Sequence, residues 1–193
     1  MTGLFDRSTF APVVLALLVG AGAAGALPFL PHRYGMGPPP GHTGGFGEPT
    51  CAVCHADATE GPATVALDAP EAWEPGRRYT LTVRVEQPGL RRAGFQLTTR
   101  FAKGELEGRQ AGTFETGEAT RITPDTLTGV LYLSHTVEST RPATAGKVSW
   151  SFEWAAPNAG GPVALHVAAN ASNDDDSEFG DIIMTSSRRV RAR

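Results

Sequence analysis

Two thiols and an imidazole stand together at Cys51-Ala52-Val53-Cys54-His55, and they are the only cysteines in the chain. This CxxCH spacing is that of c-type haem attachment. The two thiols add across the two vinyl groups of the porphyrin, so they must lie on one side of a short turn. The adjacent imidazole then meets the iron from the proximal side. A redox dithiol of the thioredoxin kind sits at a helix start after a strand, and a structural zinc site needs four ligands. Neither context surrounds this segment. The expected cofactor is therefore one covalently bound haem c, held by Cys51 and Cys54 with His55 as proximal ligand. A sixth ligand comes from the other His and Met residues: His32, Met36, His42, His135, His166 and Met184. His135 ranks first, His42 second and Met36 third. His135 shares the apolar side of its strand with Leu131, Leu133 and Val137, where a haem would bury one face. A histidine there is also a common hydrogen-bonded core residue, and that reading stays open.

Haem attachment of this kind takes place outside the cytoplasm in bacteria, and the N-terminus agrees. Residues 10–30 carry no charge, Asp6 and Arg7 precede them, and Ala24-Gly25-Ala26 supplies a small-residue cleavage pattern. Residues 1–26 read as a signal peptide, with an uncleaved membrane anchor as the alternative because the run approaches bilayer length. Residues 27–62 form a Gly/Pro-rich linker carrying CxxCH; too rich in turn formers for helix or central strand, it is expected to lie against another surface. Residues 63–193 form the folded domain.

The elements that must position the motif are strands. Of 193 residues, 23 are Gly and 15 Pro, and helical periodicity is nearly absent. Leu81, Val83 and Val85 alternate with Thr80, Thr82 and Arg84. Phe95, Leu97, Thr99 and Phe101 alternate with Gln96, Thr98 and Arg100. Val148, Trp150, Phe152 and Trp154 alternate with Ser149, Ser151 and Glu153, and Val163, Leu165, Val167 and Ala169 form a further face. Such alternation predicts one buried and one wet face per strand. The fold class is all-β: an antiparallel β-sandwich of seven to nine strands.

The net charge of −3 argues against a nucleic-acid partner. No nucleophile–base pair or carboxylate dyad stands out, which points away from an enzyme. The acidic run Asn173–Glu178 with Asp181 departs from EF-hand spacing, since position six is Glu178 and position twelve Met184; a solvated turn is expected, with a calcium loop as the rival. Arg188, Arg189, Arg191 and Arg193 read as a polar terminus that frays.

Taken in order, GPPPGHTGGFGEPTCAVCH, WEPGRRYTLTV, RRAGFQLTTR, AGTF, YLSHT, WSFEWAAP, HVAANASN and GDIIMT resemble the bacterial reelin-like (Reeler-type, choice-of-anchor) domain from about Gly37 to Thr185. The resemblance implies an immunoglobulin-like sandwich in an exported protein, often preceded by a CxxCH-like segment and containing a His-Thr pair, here His135-Thr136. Three functions follow as expectations. The first is a monohaem electron carrier serving a periplasmic or membrane redox partner. The others are a reelin-like binding or adhesion module with structural or no haem, and a haem-based sensor.

Overall fold

The computed structural model describes residues 37–55 and 60–193, which belong to one compact unit. The signal or anchor segment, His32 and Met36 lie outside the described residues. Among the described residues no helix is long and apolar enough to cross a membrane.

Among the described residues ten strands follow in order: β1 (Thr64–Asp68), β2 (Ala72–Trp73), β3 (Arg78–Glu86), β4 (Arg92–Phe101), β5 (Thr113–Glu115), β6 (Thr120–Pro124), β7 (Leu131–His135), β8 (Lys147–Ala155), β9 (Val163–Ser172) and β10 (Ile182–Ala192). They form a four-stranded sheet, β1-β3-β8-β5, packed on a six-stranded sheet, β2-β10-β9-β4-β7-β6. The fold is thus an all-β sandwich, as the alternation predicts. The strand count exceeds the expected seven to nine because β2 and β5, of two and three residues, are too short to leave a periodic signal. Pairing is antiparallel except at one edge, where β2 runs parallel to the end of β10. That edge also corrects the reading of the basic terminus. Arg191 and Arg193 donate their backbone N–H groups to Glu71 and Trp73, so the segment is strand and not a frayed tail.

The core lies between the sheets. Leu81, Val83 and Val85 of β3 and Val148, Trp150, Phe152 and Trp154 of β8 meet Phe95 and Leu97 of β4 and Val163, Leu165, Val167 and Ala169 of β9. Phe95 packs its ring 4.8 Å from Trp150 and stacks with Phe152 at 6.2 Å. Each Trp of β8 also has its N–H satisfied, Trp150 by the Ser139 hydroxyl at 2.9 Å and Trp154 by the Ala111 carbonyl at 3.0 Å.

The two sheets treat their outer faces differently. On the four-stranded sheet the expected wet face exists: Thr80 donates to Glu153 and Thr82 pairs with Ser151 among exposed side chains. On the six-stranded sheet it does not. Every residue from Phe95 to Phe101 is buried, including Gln96, Thr98 and Arg100. The reason is the Gly/Pro segment, which lies across that outer face as a strap.

Candidate functional site: a CxxCH turn docked on the six-stranded sheet

The strap, Gly37 to His55, satisfies its backbone against polar side chains of the sheet. Arg121 of β6 donates to the Pro38 carbonyl at 3.2 Å. Gln96 of β4 donates to the Pro39 carbonyl at 2.7 Å and accepts the His42 N–H at 2.6 Å. Glu48 forms an ion pair with Arg100, and Tyr132 of β7 donates to the same carboxylate; its other oxygen accepts from the Thr43 hydroxyl at 2.5 Å. Phe46 meets His166 edge-on at 5.3 Å with the Arg100 guanidinium above its ring. Gly45 is required by this packing, because a Cβ there would fall 2.3 Å from Cγ of His166.

The strap ends in one 3-10 turn, Cys51–Val53, whose N-terminus is capped by the Thr50 hydroxyl accepting from the Ala52 N–H at 3.3 Å. Both thiols are free, Cys51 half-buried and Cys54 exposed. Desolvation pushes the Cys51 thiol up to about 12; its own backbone hydrogen bond opposes the rise and neighbouring Cys54 adds to it.

His55 leaves this turn and meets the hairpin joining β9 to β10. Its Nδ1 donates to Oδ2 of Asp181 at 2.7 Å. Asp181 is fully buried, while the His55 side chain is about one-third exposed (34%). Asn170 of β9 donates to the same oxygen at 2.9 Å, with its amide nitrogen 3.0 and 3.3 Å from the two ring nitrogens of His55. The backbone N–H of Asn173 reaches the second carboxylate oxygen at 3.2 Å. Burial alone pushes the Asp181 carboxyl up, but the hydrogen bonds from His55, Asn170 and Asn173 outweigh it and hold the group below the usual carboxylate range.

His135 lies one strand away. Gly94 of β4 pairs with Asn170 of β9, and the His135 ring rests on Gly94, where a Cβ would fall 2.5 Å from Cε1. His135 is the last residue of β7, where the ladder to β4 has already ended at Gln96. Its Nδ1 sits 3.0 Å from the N–H and 3.2 Å from the carbonyl oxygen of Phe95, and its ring contacts those of Phe95 and Trp150. Burial pushes its pKa down to about 4. The Phe95 contact opposes this, while Arg121 and His55 push the same way. Val137 does not share the face assigned to it from sequence: it lies in a 3-10 turn beyond the strand and is exposed.

The remaining candidates are placed as follows. His42 turns its Nδ1 toward the Pro39 and Pro40 carbonyls at 3.2 and 3.1 Å. His166 is covered by Phe46, and Met184 packs on the core from β10. In the acidic loop Asp174 pairs with Arg92 at 2.7 Å and Arg141 at 3.0 Å, and Asp175 accepts from Ser177. Among the described residues no three His, Cys, Asp or Glu side chains converge as a metal-ion site.

Spacing alone picks out the motif residues, whereas no local pattern links Asp181 and Asn170 to His55. The available signals were an Asn on the otherwise Ala/His side of β9 and an Asp set just ahead of β10, apart from the other loop carboxylates.

No family model and no curated protein matches the chain. Among solved structures it is similar to a cohesin module of a Clostridium perfringens family 33 glycoside hydrolase, with 8% identity over 68% of this chain and 96% of that one and a TM-score of 0.46. It is likewise similar to the human F-spondin reeler domain, with 20% identity over 71% of this chain and 91% of that one and a TM-score of 0.46.

Proposed function

We propose that the chain is an extracytoplasmic monohaem c-type protein that carries single electrons, with the haem linked to Cys51 and Cys54 and ligated by His55. The observation that carries this reading is the pairing of a CxxCH turn with a buried carboxylate on Nδ1 of its histidine. Metal-bound imidazoles almost always donate their second ring nitrogen in this way, and with Nδ1 turned to Asp181 the ring nitrogen left to meet iron would be Nε2, whose polar neighbour is the Asn170 amide nitrogen at 3.3 Å.

The residues present fit the group. Two unpaired thiols occupy one turn, and His55 is open enough to be reached. Haem would supply reversible one-electron exchange at iron. The chain's own contributions are the thioether anchors, the orientation of His55 and the polar and apolar sheet residues around it. His135 is the proposed distal ligand. Its Nδ1 is within reach of both the N–H and the carbonyl of Phe95, so the backbone can hold either tautomer; ligation through Nε2 uses the one that donates to the carbonyl. The redox partner is a periplasmic or membrane protein that meets the chain at the exposed side of the turn.

The test is expression through the secretory route with a cytochrome c maturation system. The mature protein is expected to exceed its polypeptide mass by one haem and to stain for haem on a denaturing gel. A protein without added mass would overturn the haem reading and leave the reelin-like binding module as the alternative. In the haem-bearing protein, His135→Ala is expected to turn the ferric spectrum high-spin and admit carbon monoxide to the reduced form. A destabilised protein with an unchanged spectrum would make His135 a core residue and pass the distal role to His42 or Met36.

A further inference from the structure

We infer that Asp181 is the positioning residue for His55: it fixes which ring nitrogen is left to bind iron, and through that the potential at which the haem exchanges its electron. The inference rests on the haem reading above and concerns residues outside the motif.

Asp181 is held by donors from three places. Asn170 comes from within β9, the Asn173 N–H from the start of the loop, and His55 from the strap. With both oxygens engaged and no exposed surface, the carboxylate cannot turn away from the ring. Asn170 adds an independent sign that this geometry is built around the carboxylate. The amide presents its nitrogen to Asp181 and leaves its own Oδ1 buried without a partner, an arrangement that is unfavourable for the amide itself. Asp181→Leu, close in size and without an acceptor oxygen, would leave the NH2 of Asn170, 3.0 Å from Nδ1 of His55, as the polar neighbour of that nitrogen. The ring would then move its proton to Nε2, the atom iron needs free. Replacing the carboxylate of a Ser-His-Asp triad likewise produces the wrong imidazole tautomer.

A full negative charge on the Nδ1–H also makes the imidazole a stronger donor. That favours ferric over ferrous iron and lowers the midpoint potential.

The experiment has two arms. In the full chain produced without haem maturation, nitrogen-resolved NMR of His55 is expected to show the proton on Nδ1 in the wild type and on Nε2 in Asp181→Leu. In the matured protein, Asp181→Leu is expected to retain the haem mass and to shift the oxidised-to-reduced ratio at a fixed applied potential at least tenfold toward reduced, about 59 mV for one electron. A wild-type His55 protonated on Nε2 overturns the inference without any variant, so it stays testable if Asp181→Leu does not fold. An unchanged tautomer and midpoint in a folded Asp181→Leu overturn it as well. If neither protein gains haem mass, the functional reading and the electronic half of the inference fail together, and the tautomer measurement still decides the positioning half.

Discussion

His135 closes the β4–β7 ladder with its ring where the next backbone pair would have stood, and it does so as a neutral group. Its folded pKa of about 4 lies below the ordinary histidine value, chiefly through burial. The unfolded chain therefore binds a proton between roughly pH 6.5 and 4 that the folded haem-free chain does not. Stability contributed by this residue is complete above pH 6.5 and is lost as the pH falls toward 4, about 3 kcal/mol in all. The haem-free protein is expected to melt at lower temperature at pH 4.5 than at pH 7, and His135→Phe to flatten that dependence. An equally steep profile in the variant would assign the acid sensitivity to other groups. At this scale the motif was legible because CxxCH is local. The couple of His55 and Asp181 was not, because the two residues are 126 positions apart and no local pattern links them.

At the scale of the element, β8 is the strand whose sequence and structure agree throughout. Val148, Trp150, Phe152 and Trp154 are all buried, and the Ser and Glu residues between them face water or its edge. Trp154 is fully enclosed, contacts Tyr79 at 5.9 Å and donates to Ala111. Trp154→Ala is expected to cost about 3–5 kcal/mol, read as a lower denaturation midpoint at unchanged slope; an unaltered midpoint would mean the indole is not part of the core. β4 and β9 show where period-two reasoning stops. Alternation gives the two faces of a strand, but it does not tell water from another chain segment. Gln96 and Arg100 are polar because they bind the strap, not because they meet solvent. A strap without periodicity of its own leaves only composition as a signal, enough to expect that it lies on a surface and too little to say which.

For the molecule as a whole, the strap is a part of the fold and not a tether to it. Its principal fastening is the Glu48–Arg100 pair, whose side chains are 12% and 10% exposed, with Tyr132 completing the cluster. Removing one partner of so enclosed a pair leaves an uncompensated charge. Glu48→Ala is expected to destabilise the domain by about 3–5 kcal/mol. It should also speed exchange of the Gly44 and Glu48 amides, which hydrogen-bond within the strap. Unchanged exchange at those amides, measured with the sheet amides as reference, would mean that the strap holds its shape without the sheet.

The strap also sets an order of events. It precedes in the chain every strand on which it lies, from Gln96 in β4 to Asp181 at the threshold of β10. A chain delivered N-terminus first therefore presents Cys51 and Cys54 long before their seat exists. Desolvation raises the Cys51 thiol in the docked turn, and a thiol raised by burial is a poorer nucleophile than the same thiol in an unfolded chain. Before the strap docks, the thiol is without that burial. On the haem reading proposed above, thioether formation is expected to precede docking of the strap on the sheet.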